Sequence, residues 1–143
     1  EESGWDDYFA EIKFFNEFPS GVRKDVTFKT SFGTVSWQST ATKHPYYKKF
    51  RLANDVNTWQ TSMQLMLIRY AHVLLIYAEA QARATGAVDA SAYLAVNAVR
   101  KRAGLAELSG LSSDDFIDAV VQERAWEFAG EYTRWFDLVR LKL

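Results

Sequence analysis

The chain has 143 residues, the length of one domain, with 48% hydrophobic and 15% aromatic residues and a formal net charge of -1. Seventeen basic and eighteen acidic side chains, with no block of one sign, offer a phosphate backbone no electrostatic footing, which excludes nucleic acid as an expected partner. The lack of cysteine excludes disulfides, thiolate metal sites and thiol nucleophiles within these residues.

In chain order, the opening "EESGWDDYFAEIKFF" is acidic and has neither the basic nor the apolar region of a signal peptide, and it starts without Met. These features read as a mature piece or an internal fragment of a longer protein. "WDDYFAEIKFFNEF" predicts an amphipathic helix ended before Pro19. "DVTFKTSF" and "TVSWQ" favour strands, with a hairpin turning at Phe32 and Gly33. Tyr46, Tyr47, Lys48 and Lys49 read either as a partner contact or as a solvated loop with snorkelling lysines.

Helical signals dominate after residue 60. The first helix is predicted over residues 62–85, stops at Gly86, and is apolar around so much of its circumference that burial on several sides is expected. Arg69, His72 and Glu79 interrupt it, so it falls short of the roughly 18 to 20 apolar residues of a bilayer crossing. On such a helix His72 reads as a satisfied core histidine rather than a ligand or base. A second helix, residues 90–103, sets Tyr93, Leu94, Val96, Asn97 and Arg100 at helical spacing and folds back on the first. A third begins after "SSDD", capped by Ser112 or Ser113, with Phe116, Ile117, Val120 and Val121 as its apolar face. Gly130 interrupts, and "EYTRWFDLVRLKL" starts a fourth helix or a bent continuation.

The expected fold class is mainly α, with tetratricopeptide-like helical hairpins in an α-α superhelix and an irregular, partly β N-terminal segment. Residues 1–60 form that segment and residues 61–143 the hairpins, together one domain. Two hairpins are fewer than the three or so repeats of a free-standing array, so the helical half is expected to pack on other material.

The stretch "ERAWEFAGEYTRWFDLVR" alternates carboxylates, guanidinium groups and rings. Glu123, Glu127 and Glu131 share one stripe if the helix continues. A carboxylate metal site would need histidines in register, and His44 and His72 are not. Paired carboxylates could also serve glycoside hydrolysis, but one helix surface supplies no cleft. The preferred reading is a structural ion-pair network of Glu123, Arg124, Glu127, Glu131, Arg134, Asp137 and Arg140, kept dry by Trp126, Phe128, Trp135 and Phe136.

Taken in order, "IRYAHVLLIYAEAQARATG", "AVNAVRKRAGL" and "DAVVQERAWEFAGEYTRWFDLVR" resemble the C-terminal region of the SusD/RagB family of outer-membrane nutrient-binding lipoproteins, and "FPSGVRKDVTF" resembles the segment that precedes it. The chain departs from the family pattern at His72, where an acid is common, and at Gly21 and Val22, where an aspartate usually precedes the arginine. The resemblance implies a fragment of a longer lipoprotein, a tetratricopeptide-like scaffold, and a binding protein without catalysis or cofactor. It implies as partners an oligosaccharide or polysaccharide ligand and a SusC-like TonB-dependent transporter, with membrane attachment only through a lipid anchor outside these residues.

A glycan site presents rings flat beside polar groups. Trp37, next to Gln38, and Trp59, between Asn57 and Gln60, have such neighbours and are the candidate ligand residues; packing of an irregular segment is the competing and preferred reading. The rival functional class is a cytoplasmic tetratricopeptide-like scaffold that grips peptides in a groove.

Overall fold

A computed structural model describes residues 8–50, 64 and 66–143. The chain divides into two compact units, residues 1–65 and 66–143.

Unit 1 is built on rings. Helix α1 (Ile12–Glu17) starts at Glu11, whose carboxylate accepts from the backbone N–H groups of Lys13 and Phe14, and ends at Phe18, extended because Pro19 follows. Helix α2 (Val22–Thr27) comes next and takes in Asp25, Val26 and Thr27, the start of the run from Asp25 to Phe32 that favours strand. Burial of Arg23 and Thr27, and a hydrogen bond from Thr27 Oγ1 to the Arg23 carbonyl, outweigh that local preference. Strand β1 (Phe28–Lys29) pairs antiparallel with β4 (Tyr46–Tyr47), and β2 (Ser31–Phe32) with β3 (Val35–Ser36). Phe32 faces Val35, which places the predicted hairpin turn at Gly33 and Thr34. A 3-10 turn, Trp37–Ser39, follows. Phe15, Phe18 and Phe28 are buried and meet edge to face at 5.1 Å in the Phe15–Phe28 and Phe18–Phe28 pairs. Tyr46 and Tyr47 thus lie in a paired strand and are half-buried, not in a solvated loop.

Unit 2 is helical. Helix α3 (Tyr70–Thr85) begins at Tyr70; of the predicted extension, residues 62, 63 and 65 lie outside the described residues, and 64 and 66–69 are not helical. Gly86 stops it at φ +67, the left-handed conformation open to glycine. Helix α4 (Ala90–Arg102) is capped by Asp89 and packs back along α3. Helix α5 (Ser113–Glu127) is capped by Ser112, which settles the choice between the two serines. Its end at Phe128 and Gly130, with φ +80, separates it from α6 (Arg134–Leu141), so a fourth helix forms rather than a continuation.

Helix α3 packs against both α4 and α5 through Leu75, Ala78 and Ala82. Ala92, Ala95, Val96 and Val99 of α4 meet Phe116, Ile117, Val120 and Val121 of α5 in the same core. The many alanines let the helices approach closely. Within this unit α3 is buried on one face, not several: Val73, Ile76 and Tyr77 remain about half exposed. One side of α4 clasps the loop that follows it. Arg100 Nε donates to the Ala106 carbonyl at 2.8 Å, Asn97 bonds both backbone groups of Leu108, and the Tyr93 hydroxyl accepts from Leu111 N–H. Stepping back along the helix matches stepping forward along the loop, so each polar side chain satisfies backbone that would otherwise lie unpaired.

Candidate functional site

The charged stretch forms a network whose partners come from across unit 2. Glu123 is fully buried and accepts from Arg100 Nη1 at 2.9 Å. Glu127, also buried, accepts from Arg102 and, at 3.0 Å, from Arg69 Nη1. Arg69 grips both Glu131 oxygens, through Nε at 2.9 Å and Nη2 at 2.7 Å, and lies over the Phe128 ring. Arg124 Nε donates to Asp137 at 3.1 Å. Arg140 reaches Asp137 through Nε and takes both Glu79 oxygens at 2.6 and 2.7 Å, while Arg83 also donates to Glu79.

The sequence-derived set is therefore joined in part and extended. Arg124 and Arg140 converge on Asp137. Glu127 and Glu131 are held by Arg69 and Arg102, and Glu123 by Arg100, three arginines that the local pattern did not nominate; Glu79 and Arg83 were missed too. Arg134 joins no ion pair among the described residues, and its Nη1 is buried without a hydrogen-bond partner. Of the four rings expected to exclude water, Phe128 is buried and Trp126 half-buried, whereas Trp135 and Phe136 stand 68% and 70% exposed. Arg69, Arg100 and Arg102 had one signal in the sequence, their place in the motifs "IRYA" and "VRKRAGL".

Burial pushes the Glu127 carboxyl up, but hydrogen bonds and charge from Arg102 and Arg69 outweigh it and hold the group below its ordinary value. Glu79 follows the same pattern, burial being outweighed by Arg140 and Arg83. Carboxyls held ionised in this way are poor general acids, so their chemistry is that of counter-ions. His72 lines a cleft of about 490 Å³ with Ile76, Glu79, Arg124, Phe136 and Arg140. Burial and the nearby Arg124 charge hold it below the ordinary histidine value, and its ring lies 5.1 Å from Phe128.

In unit 1, Trp37 is half-buried, with its ring edge-on to Phe15 at 5.7 Å. Its N–H donates to the Thr30 carbonyl at 3.0 Å and its own carbonyl accepts from Thr40, so the backbone here is closed on itself. Gln38 accepts from the Ser36 hydroxyl and is exposed. Trp59, with Asn57 and Gln60, lies outside the described residues. Phe15 also lines a cleft of about 380 Å³ with Phe28, Lys24, Lys29 and Lys48. Among the described residues no helix is long and apolar enough to cross a membrane, and no group of three or more His, Asp and Glu could hold a metal ion.

Comparison with known proteins gives four concordant results. The profile of the SusD family matches residues 20–143. The SusD-like protein P2 of Formosa agariphila is 31% identical over 98% of this chain and 32% of its own length. Among solved structures, a SusD superfamily protein from Parabacteroides distasonis superposes with a TM-score of 0.76 at 28% identity, over 92% of this chain and 31% of that one. The surface glycan-binding protein A of Bacteroides uniformis superposes with a TM-score of 0.77 at 30% identity, over 99% of this chain and 31% of that one. The chain spans about a third of the length of these relatives.

Proposed function

Because the chain belongs to the SusD family, we propose that the protein containing it binds nutrient, in particular glycan, at the cell surface, and passes the ligand to a TonB-dependent outer-membrane transporter without catalysis. The observation that carries this reading is the likeness to a surface glycan-binding protein over 99% of the chain. Unit 2, whose buried charges are committed to one another, acts as scaffold. Ligand contacts from this chain come from unit 1, where rings and polar groups share a cleft.

The test is calorimetric titration of the intact protein with a panel of soluble glycans, alongside Trp37→Ala and Trp59→Ala. Binding that either change abolishes while melting is preserved assigns that tryptophan to the ligand surface. Binding that survives both makes the two residues scaffold, and absence of binding to every glycan removes the reading.

A further inference from the structure

Helix α3 carries two apolar faces, and unit 2 uses one of them. Leu75, Ala78 and Ala82 lie in the core that α3 shares with α4 and α5. On the opposite side Val73, Tyr77, Ala80 and Ala84 follow at spacings of four, three and four residues, which places them in one stripe of the helix. Ile76 lies beside that stripe, and all five residues are exposed. The two charged residues of the helix, Glu79 and Arg83, lie off the stripe and pair with each other. The Tyr77 hydroxyl is satisfied by Ser91 Oγ at 2.6 Å, so its ring, not its hydroxyl, is left to make contacts.

A helix face that stays in water carries charged and polar residues, whereas a helix apolar all round belongs inside a larger structure. Spacing that alternates four and three is the seam one helix presents to another, and Ala80 and Ala84 leave room for a second backbone to come close. The apolar surface continues onto α6: Ile76 and Ala80 line the cleft of about 490 Å³ together with Phe136, which is exposed. In stacked helical hairpins each unit buries one face against the unit before it and one against the unit after it. Helix α5 supplies such a neighbour to the inner face of α3. For the outer face there is chain to spare, since residues 1–143 span about a third of the length of their relatives.

We propose that the outer face of α3, with Phe136 at its edge, is the docking surface for a further helical hairpin of the same polypeptide, supplied by residues outside 1–143. Covalent attachment favours this occupant over a second copy or a separate protein, because it holds the hairpin at high effective concentration. The fit is hydrophobic and made by shape: rings and branched side chains at Val73, Ile76 and Tyr77, and a shallow groove over Ala80 and Ala84. The inference concerns packing and is independent of which ligand the protein takes.

The experiment is hydroxyl-radical footprinting of the intact, full-length protein, purified and dilute, read by mass spectrometry at Tyr77 and Phe136, with the fully buried Phe116 as internal reference. The expected result is oxidation of Tyr77 and Phe136 as slow as that of Phe116; oxidation well above that of Phe116 overturns the proposal. Photoreactive benzoylphenylalanine introduced at position 136 then identifies the occupant. A cross-link within one molecule to a segment outside residues 1–143 supports the proposal. A cross-link to a second copy that grows with concentration, a cross-link to residues 1–65, or protection that appears only in membranes containing the transporter overturns it. Ala80→Glu gives an independent reading by thermal melting of the intact protein. Under a packed hairpin the buried carboxylate should lower the melting temperature by about 5 °C or more, whereas an unchanged melt means an open face and overturns the proposal. Footprinting of the wild type decides the matter even where this variant does not fold.

Discussion

Glu123 illustrates what a residue's neighbourhood adds to its identity. Its side chain has no exposure, and its carboxylate is compensated by Arg100, which is itself mostly covered. Replacing Glu123 by alanine leaves that guanidinium desolvated without its counter-ion, a class of change that costs about 3 to 5 kcal/mol. For a domain of this size we expect Glu123→Ala to lower the melting temperature by roughly 10 °C. Arg134→Ala should lower it less, because Arg134 joins no ion pair among the described residues. Thermal melts of the two variants side by side check the ranking; equal loss would mean that the pairing geometry does not control stability. The carboxylates and arginines of residues 123–140 could be marked from the sequence because they recur at helical spacing. Their partners could not: Arg69 lies 62 positions from Glu131 and Glu79 lies 61 from Arg140, separations that only packing brings together.

The loop after α4 is held by one helix face, and Asn97 is its centre. Its amide donates to the Leu108 carbonyl at 2.9 Å and accepts from the Leu108 N–H at 2.8 Å. Asn97→Ala strands both backbone groups in a half-buried place, and we expect a loss of about 2 kcal/mol together with faster hydrogen exchange at the Leu108 amide. Asn97→Asp, which keeps the acceptor and loses the donor, should fall between. Unchanged exchange at Leu108 in Asn97→Ala would show that the loop is ordered by other contacts. At this scale the helices of unit 2 were readable because a cap and a glycine punctuate them: Ser112 and Gly86 stand where their chemistry predicts. Two readings failed for physical reasons. Asp25, Val26 and Thr27, read as the start of a strand, close helix α2 instead, because so short a stretch of β propensity does not outweigh burial of Arg23 and Thr27. The apolar circumference of α3 was taken as burial on several sides, yet in unit 2 its buried apolar face is Leu75, Ala78 and Ala82, while Val73, Ile76 and Tyr77 stay about half exposed.

For the whole molecule, His72, Glu79 and Glu127 of unit 2 act in one direction on acidification. His72 is held below 6.5, so in the window just under that value the unfolded chain takes up a proton that the folded chain refuses, and stability falls as pH drops through it. Glu79 and Glu127 are held below 4.5, so the stability they contribute is present above that pH and is lost as pH falls through their folded values. Melting temperature followed from pH 7 to pH 3 should therefore decline in two stages, and His72→Gln should remove the first while sparing the second. A profile flat down to about pH 3 would mean that these groups carry no linkage. The sequence by itself determined the helical class, the helix boundaries marked by caps, the family motifs and the places where charge is concentrated, because each is written in local spacing or residue type. Tertiary structure alone decided which arginine answers which carboxylate, that Trp37 lies edge-on against Phe15, and that Lys24, Lys29 and Lys48 share one cleft. Those outcomes depend on distances between residues far apart in the chain, and distance is set by how the elements pack against one another.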